Sequence, residues 1–216
     1  EMWKNYGRIF ADYMSIKNFR QSKLDQYLKI EGKEIFEEIK KNKEQVIFVS
    51  GHFNNFELMA MEIEKSGIDI AAIYRPLNNI FLNKIMERIR RKYICKYQIK
   101  KGISGAREII KLYKKGFSIA LMIDQRVSEG IKLNFFGKPA FTTTIPAQLV
   151  KKFNCKIVPI YIERINKFSF KMTINSPIKF EKNQSIEDIS GELNVWLEKM
   201  ISNQPDQWIW SHNRWK

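Results

Sequence analysis

Three short apolar runs, each stopped by a polar cluster and each followed by a helix-patterned segment, restrict this chain more than any other feature. Val46-Ile47-Phe48-Val49 ends at Ser50-Gly51-His52, Ile70-Ala71-Ala72-Ile73-Tyr74 ends at Arg75-Pro76, and Ser118 to Ile123 ends at Asp124-Gln125. Such runs suit strands buried on both faces. Between them, residues 55–66 carry Phe56, Met59, Ala60 and Ile63 on one helical face and stop at Gly67. Residues 79–92 read as a helix with Leu82, Ile85, Met86 and Ile89 inward, and residues 104–115 as another, closed by Gly116.

The rest of the chain continues the alternation. Residues 3–16, 33–41, 144–153 and 186–202 read as helices, and 156–162 and 168–174 as strands. The fold class is therefore α/β: a single domain, 1–216, with a mostly parallel, mixed central sheet flanked by helices. In such sheets the polar residues just past the strand C-termini gather on one edge and build the site. His52, Arg75 and Asp124 all hold that position.

Only two histidines occur, His52 and His212. His52 is followed by Asn54, Asn55 and, five positions on, Glu57. This spacing spans a strand-to-helix turn, so the Glu57 carboxylate is expected to accept a hydrogen bond from one imidazole nitrogen and raise the basicity of the other. A base held in this way takes the proton of an alcohol attacking an acyl carbonyl. Asn54, Asn55 and the backbone N–H groups opening the 55–66 helix are candidate donors to the oxyanion. Arg75 and Arg90 suit phosphate groups, because a guanidinium makes paired contacts with them, and Asp124 suits orienting an arginine or the motif loop. There is no GxSxG elbow, Walker sequence, GxGxxG, HExxH or metal-spaced Cys/His cluster, so neither a metal nor a bound cofactor is expected.

The net charge is +15. Lys84 to Lys115 holds 12 Lys and Arg against 2 Glu, a net +10. So concentrated a field attracts an anionic partner such as acidic headgroups, a phosphorylated substrate, an acidic carrier protein or nucleic acid. Tyr93 and Tyr97 interleave with the cations as base-stacking residues would, but a nucleic-acid module leaves the His52–Glu57 block unexplained. Cys95 and Cys155 suit reduced, unpaired thiols and a cytoplasmic setting. No run reaches the roughly 18 apolar residues of a membrane span. Trp208, Trp210 and Trp215 suit either an interfacial anchor or packing of the terminal segment. Phe135-Phe136-Gly137 suits either the wall of an acyl groove or a turn, and His212 suits packing.

Taken together, several blocks resemble the bacterial lipid A biosynthesis acyltransferases, the lauroyl/myristoyl transferase family. They are Ser50-Gly51-His52-Phe53-Asn54-Asn55-Phe56-Glu57, Ile73-Tyr74-Arg75-Pro76-Leu77 with Asn79 and Arg90, Asp124-Gln125, Asn134-Phe135-Phe136-Gly137-Lys138-Pro139-Ala140 with Thr142, and Trp208-Ile209-Trp210 with His212-Asn213-Arg214-Trp215-Lys216. They occur in the family's order. The resemblance implies a glycerolipid acyltransferase-like fold. It also implies transfer of an acyl group from acyl carrier protein, or from a coenzyme A thioester, to a hydroxyl of a Kdo-bearing lipid A precursor at the cytoplasmic face of the inner membrane. Carried over by position, His52 is the general base, Glu57 its partner, and Arg90 and Asp124 are required residues. A different glycolipid acceptor, such as a phosphatidylinositol mannoside, keeps the same chemistry. Family members begin with an apolar membrane segment. This chain opens at Glu1-Met2-Trp3 already in a helical pattern, so the expectation is a segment that precedes it in a longer protein or a peripherally docked member.

Overall fold

A computed structural model describes residues 1–215, the Ile103 side chain excepted. Lys216, the last residue of the terminal block, lies outside the described residues. Seven strands form one sheet: β1 (Leu28–Glu31), β2 (Ile47–Ser50), β3 (Ile70–Tyr74), β4 (Tyr97–Lys100), β5 (Ser118–Met122), β8 (Ile157–Arg164) and β9 (Phe170–Ile174). Their order is β1-β9-β8-β2-β5-β3-β4. All neighbouring pairs are parallel except β8–β9. The expected mixed, mostly parallel sheet is therefore present. The α-helices among the described residues are α1 (Met2–Asp12), α2 (Ile16–Arg20), α3 (Lys33–Asn42), α4 (Glu57–Lys65), α5 (Ile80–Ile89), α6 (Ile103–Tyr113), α7 (Ile145–Phe153) and α8 (Ile186–Asn203).

The centre of the sheet is made by the three runs that stand out in the sequence. Val46 to Val49, Ile70, Ala71 and Ile119 are all but inaccessible. Because β2, β5 and β3 lie side by side and parallel, their C-terminal ends open on the same edge. β2 connects to β3 through α4 and β3 to β4 through α5, and the chain returns toward β5 through α6 and toward β8 through α7; the right-handed rule for parallel crossovers puts the outward and returning helices on opposite faces.

Several elements differ from expectation for physical reasons. β1 and β4 were not expected. They are the two edge strands, and the lysines that hide them in the sequence are what an exposed edge tolerates. Residues 131–142 form a hairpin, β6 (Ile131–Phe135) and β7 (Lys138–Thr142). Its two-residue turn, Phe136-Gly137, has φ of 52° and 73°, the twist of a tight hairpin. The Phe135-Phe136-Gly137 segment is thus a turn, and neither phenylalanine lines the main cavity. Residues 3–16 break into α1 and the start of α2. The helix expected over 79–92 loosens into a π-helical turn, Arg90–Ile94. Leu82 and Ile85, expected inward, are exposed.

Gly32 joins β1 to α3 at φ 81°, and a Cβ there would meet the Ile174 carbonyl oxygen at 2.3 Å. Gly32→Ala is expected to cost more than about 1 kcal/mol. The reading is a lower urea midpoint at unchanged slope.

Candidate active site

Strand register builds the site. Ser50 pairs with Met122 across β2 and β5. Two residues further along each strand stand His52 and Asp124, and the register sets them face to face. His52 Nδ1 lies 2.8 Å from Asp124 Oδ1. The His52 backbone N–H donates to Oδ2 at 2.8 Å, and the Trp208 indole N–H donates to the same oxygen at 2.8 Å. Burial opposes a charge on this carboxylate, but the His52 ring and these donors outweigh it and hold its pKa below the usual 3.8. An ionised Asp124 fixes the proton on Nδ1 and leaves Nε2 as the basic nitrogen. The His52 ring packs edge-on against Phe56, centroids 4.8 Å apart, and borders a large cavity.

The hydrogen bond expected between His52 and Glu57 is not formed. Glu57 Oε1 instead accepts from Arg90, with Nε at 2.9 Å and Nη2 at 2.5 Å, and from the Tyr13 hydroxyl. The reason lies in residues 52–56, which turn before the helix starts. Asn54 has φ 34°, and its N–H bonds the Gln207 carbonyl rather than continuing into α4. Burial works against the Arg90 charge, but the Glu57 carboxylate more than restores it and drives the guanidinium pKa up. Burial, and then the Glu57 charge, also push the Tyr13 phenol well above its ordinary value, so it stays a donor. Arg90 is therefore committed to a buried ion pair and is not the free phosphate ligand expected of it. Removing one member of such a pair typically costs about 3–5 kcal/mol.

Asn54 and Asn55 are also placed differently from expectation. Both are buried. The Asn54 amide bonds Gln207 and Arg164, and Asn55 donates to Asp12. Neither borders the cavity. The N–H groups of Phe53, Asn54, Phe56, Leu58 and Met59 already have backbone acceptors, which leaves those of Asn55 and Glu57 as the donors this opening of α4 offers to an anion. These asparagines hold the shape of the motif loop.

The cavity has a volume of about 850 Å³, within the range of small-molecule sites. Its floor is a row across three adjacent strands, Phe48–Ala120–Ala72. The two alanines leave space above the sheet that larger side chains would fill. α1 contributes Tyr6, Ile9 and Phe10 to the walls, and α5 contributes Leu82 and Met86. Past the strand ends the lining turns polar with His52, Arg75, Lys101 and Gln125, and Glu57, Arg90 and His212 also border the cavity. Arg75 and Lys101 follow the paired ends of β3 and β4, where the Lys101 N–H bonds the Tyr74 carbonyl at 2.9 Å. Burial lowers the Lys101 pKa and the nearby Arg75 charge adds to this, against an opposite pull from Glu129. His212 is likewise pulled down by burial. Arg75 thus borders the cavity, with Lys101 and His212 near enough for their charges to act on one another.

The terminal segment completes the pair. Phe53 bridges Trp208, and the Ile209 N–H bonds the His52 carbonyl at 3.3 Å. Trp208 is buried, Trp215 stacks on Phe135, and Trp210 is partly exposed. Packing, not anchoring, therefore accounts for two of the three tryptophans. Arg214 lies under the hairpin, bonded to Thr142 and Asn194, with its guanidinium 4.0 Å from the Phe135 ring centre.

A family model for "Bacterial lipid A biosynthesis acyltransferase" matches residues 1–216. The chain belongs to the bacterial lipid A biosynthesis acyltransferase family. It is 24% identical over 188 residues to the lipid A biosynthesis myristoyltransferase of Escherichia coli (strain K12), covering 83% of this chain and 56% of that protein. It is 24% identical over 184 residues to lipid A biosynthesis acyltransferase 2 of Shigella flexneri, covering 83% and 58%. Against the lipid A biosynthesis acyltransferase of Haemophilus influenzae the identity is 24% over 200 residues, covering 90% and 62%. The chain therefore spans between 56% and 62% of the length of these relatives. Among solved structures, the fold resembles the 1-acyl-sn-glycerophosphate acyltransferase PlsC of Thermotoga maritima. The TM-score is 0.53 at 17% identity, over 91% of this chain and 80% of that one. This likeness concerns the fold. No helix among the described residues of this family member is long and apolar enough to cross a membrane.

The depressed Asp124 pKa has a consequence for stability. The ionised carboxylate stabilises the fold above its unfolded pKa of about 4, and this contribution is lost as pH falls through the lower folded value. Trp208→Phe removes one donor and raises the folded pKa toward the unfolded one. Urea unfolding should show a loss of about 1–3 kcal/mol at neutral pH and a smaller difference from the wild type at about pH 3.

Proposed function

We propose that this chain carries the catalytic centre of an acyltransferase that moves a fatty acyl group from a thioester onto a hydroxyl of a phosphorylated glycolipid. The observation that carries the reading is the His52–Asp124 pair, set at the polar end of a deep apolar cavity. In the proposed reaction His52 Nε2 takes the proton of the acceptor hydroxyl as its oxygen attacks the thioester carbonyl. The new C–O bond forms, the C–S bond breaks, and the departing thiolate takes the proton back from the imidazolium. Asp124 stays ionised and stabilises that imidazolium. No covalent acyl-enzyme is invoked.

The cavity supports a division of labour along its length. The apolar floor suits the acyl chain. Arg75, Lys101 and His212 suit phosphate, because they bring positive or hydrogen-bonding groups together at one rim. Glu57 borders the cavity with Oε1 held by Arg90 and Tyr13, so Oε2 is the atom proposed to accept from the incoming acceptor. Its role is thus separate from that of Asp124. The donor is an acyl carrier protein or coenzyme A thioester. The acceptor proposed first is a Kdo-bearing lipid A precursor, at the cytoplasmic face of the inner membrane. Family membership supports that choice over other glycolipids.

His52→Ala should abolish acyl transfer in an assay with labelled acyl donor and the lipid A precursor, with far-UV circular dichroism unchanged. Asp124→Asn should lower kcat on the order of 10³–10⁴-fold, the effect of losing the tautomer-fixing carboxylate in a comparable base pair. A fully active His52→Ala protein would sink the mechanism. Mass spectrometry of lipid A from cells with and without the protein tests the acceptor.

The floor row gives a second expectation. Ala120→Leu fills space above the sheet, so product analysis should show a shift toward shorter acyl chains, with competition between donors of different length as the measurement. Unaltered chain preference would separate the acyl chain from this end of the cavity.

A further inference from the structure

Part of the chain's excess positive charge lies on α5 and the turn after it, alongside exposed apolar side chains. Ile80, Phe81, Leu82 and Ile85 are 69%, 79%, 53% and 55% exposed. Helical periodicity sorts α5 into three adjoining stripes. Leu82 and Met86 border the cavity. Phe81 and Ile85 come next, turned outward. Lys84 and Arg88 follow, one turn apart, and Arg91 and Lys92 of the π-helical turn continue the cationic stripe around a shallow hollow. Glu87, the carboxylate in their midst, is taken by Tyr74 at 2.5 Å, Asn83 at 2.8 Å and Lys100 at 3.6 Å. Among the described residues, none of Lys84, Arg88, Arg91 and Lys92 has a carboxylate within ion-pair distance.

We propose that α5 is an interfacial helix that docks this protein on an anionic lipid bilayer, with Phe81 and Ile85 entering the headgroup–acyl boundary and Lys84 and Arg88 meeting lipid phosphates. The proposal deepens the reading of a lipid acceptor by naming the element that meets the membrane. Two features favour a bilayer over an acidic protein. Apolar side chains this large and this exposed need an apolar phase, and the cations directly beside them need anions at its boundary. The apolar stripe also runs without a break into the cavity lip at Leu82 and Met86, so a docked helix lets a lipid chain pass from the bilayer into the cavity without crossing water.

Vesicle pelleting tests this without requiring acyl transfer, so its failure and failure of the catalytic proposal are separate results. The protein should pellet with phosphatidylcholine vesicles containing phosphatidylglycerol and far more weakly with phosphatidylcholine alone. The double substitution K84Q/R88Q should weaken anionic-vesicle binding by about fivefold per cation removed. F81S/I85S should weaken it at least about tenfold. None of these four residues borders the cavity, and circular dichroism checks that both variants fold. Variants that bind as wild type overturn the proposal, as does equal binding to neutral and anionic vesicles. So does self-association abolished by F81S/I85S in a protein that ignores vesicles, which would make the face a contact between two copies. Binding of an acidic soluble protein through Lys84 and Arg88, with no vesicle binding, also overturns it.

Discussion

The site depends on the Asp124 carboxylate being ionised in full burial. Nothing in its immediate sequence supports that charge. Support comes from three separate places: the His52 ring, the His52 backbone and the Trp208 indole. Each donor reaches Asp124 only because another constraint is met. The parallel β2–β5 register sets His52 opposite Asp124, and the Phe53–Trp208 bridge brings the terminal segment alongside. A slip of one residue in that register would turn every side chain of β2 to the other face and separate the pair. The buried runs Val46–Val49 and Ser118–Ile123 thus have a second role besides filling the core. Their fixed register is what aligns His52 with Asp124.

This explains which parts were legible in the sequence. The three central strands were, because complete burial leaves an unbroken apolar run. So was the placement of His52, Arg75 and Asp124 on one edge, because residues after parallel strands share an edge. The pairing of His52 was not. His52 and Glu57 are near in sequence, and local spacing favoured them. The decisive neighbour is 72 residues away, and its proximity follows from β5 inserting between β2 and β3, a strand order that alternation of elements does not encode. Tyr13 and Trp208 were hidden for the same reason, since each comes from a distant segment. Lys101 was hidden because β4 is a short edge strand whose Lys and Gln mask its alternation. Asn54 and Asn55 were misassigned because an amide beside a candidate catalytic histidine reads equally well as an oxyanion donor and as a clamp. Only the partners, Gln207, Arg164 and Asp12, decide.

The two carboxylates bordering the His52 region are held by different partners, and the difference fits different work. Asp124 is sealed and held by neutral donors and the imidazole, so the charge it sees changes when His52 takes a proton. In the proposed reaction it is therefore coupled to the proton transfer. Glu57 is held by a permanent cation, Arg90, and a phenol driven far above its ordinary pKa. A single carboxylate serving both ends would be pulled toward whichever partner was charged at the moment.

The charge distribution follows the same division between inside and outside. Arg90 belongs by sequence to the cationic stretch of α5, yet it turns inward to Glu57, while Lys84, Arg88, Arg91 and Lys92 stay on the surface. Regular α-helical spacing makes this possible. Arg90 lies four residues after Met86 and eight after Leu82, on the stripe that borders the cavity, while Lys84 and Arg88 lie on another. The spacing therefore separates two uses of arginine that the sequence places side by side, one neutralising a buried carboxylate at the cavity wall and the others presenting charge at the surface.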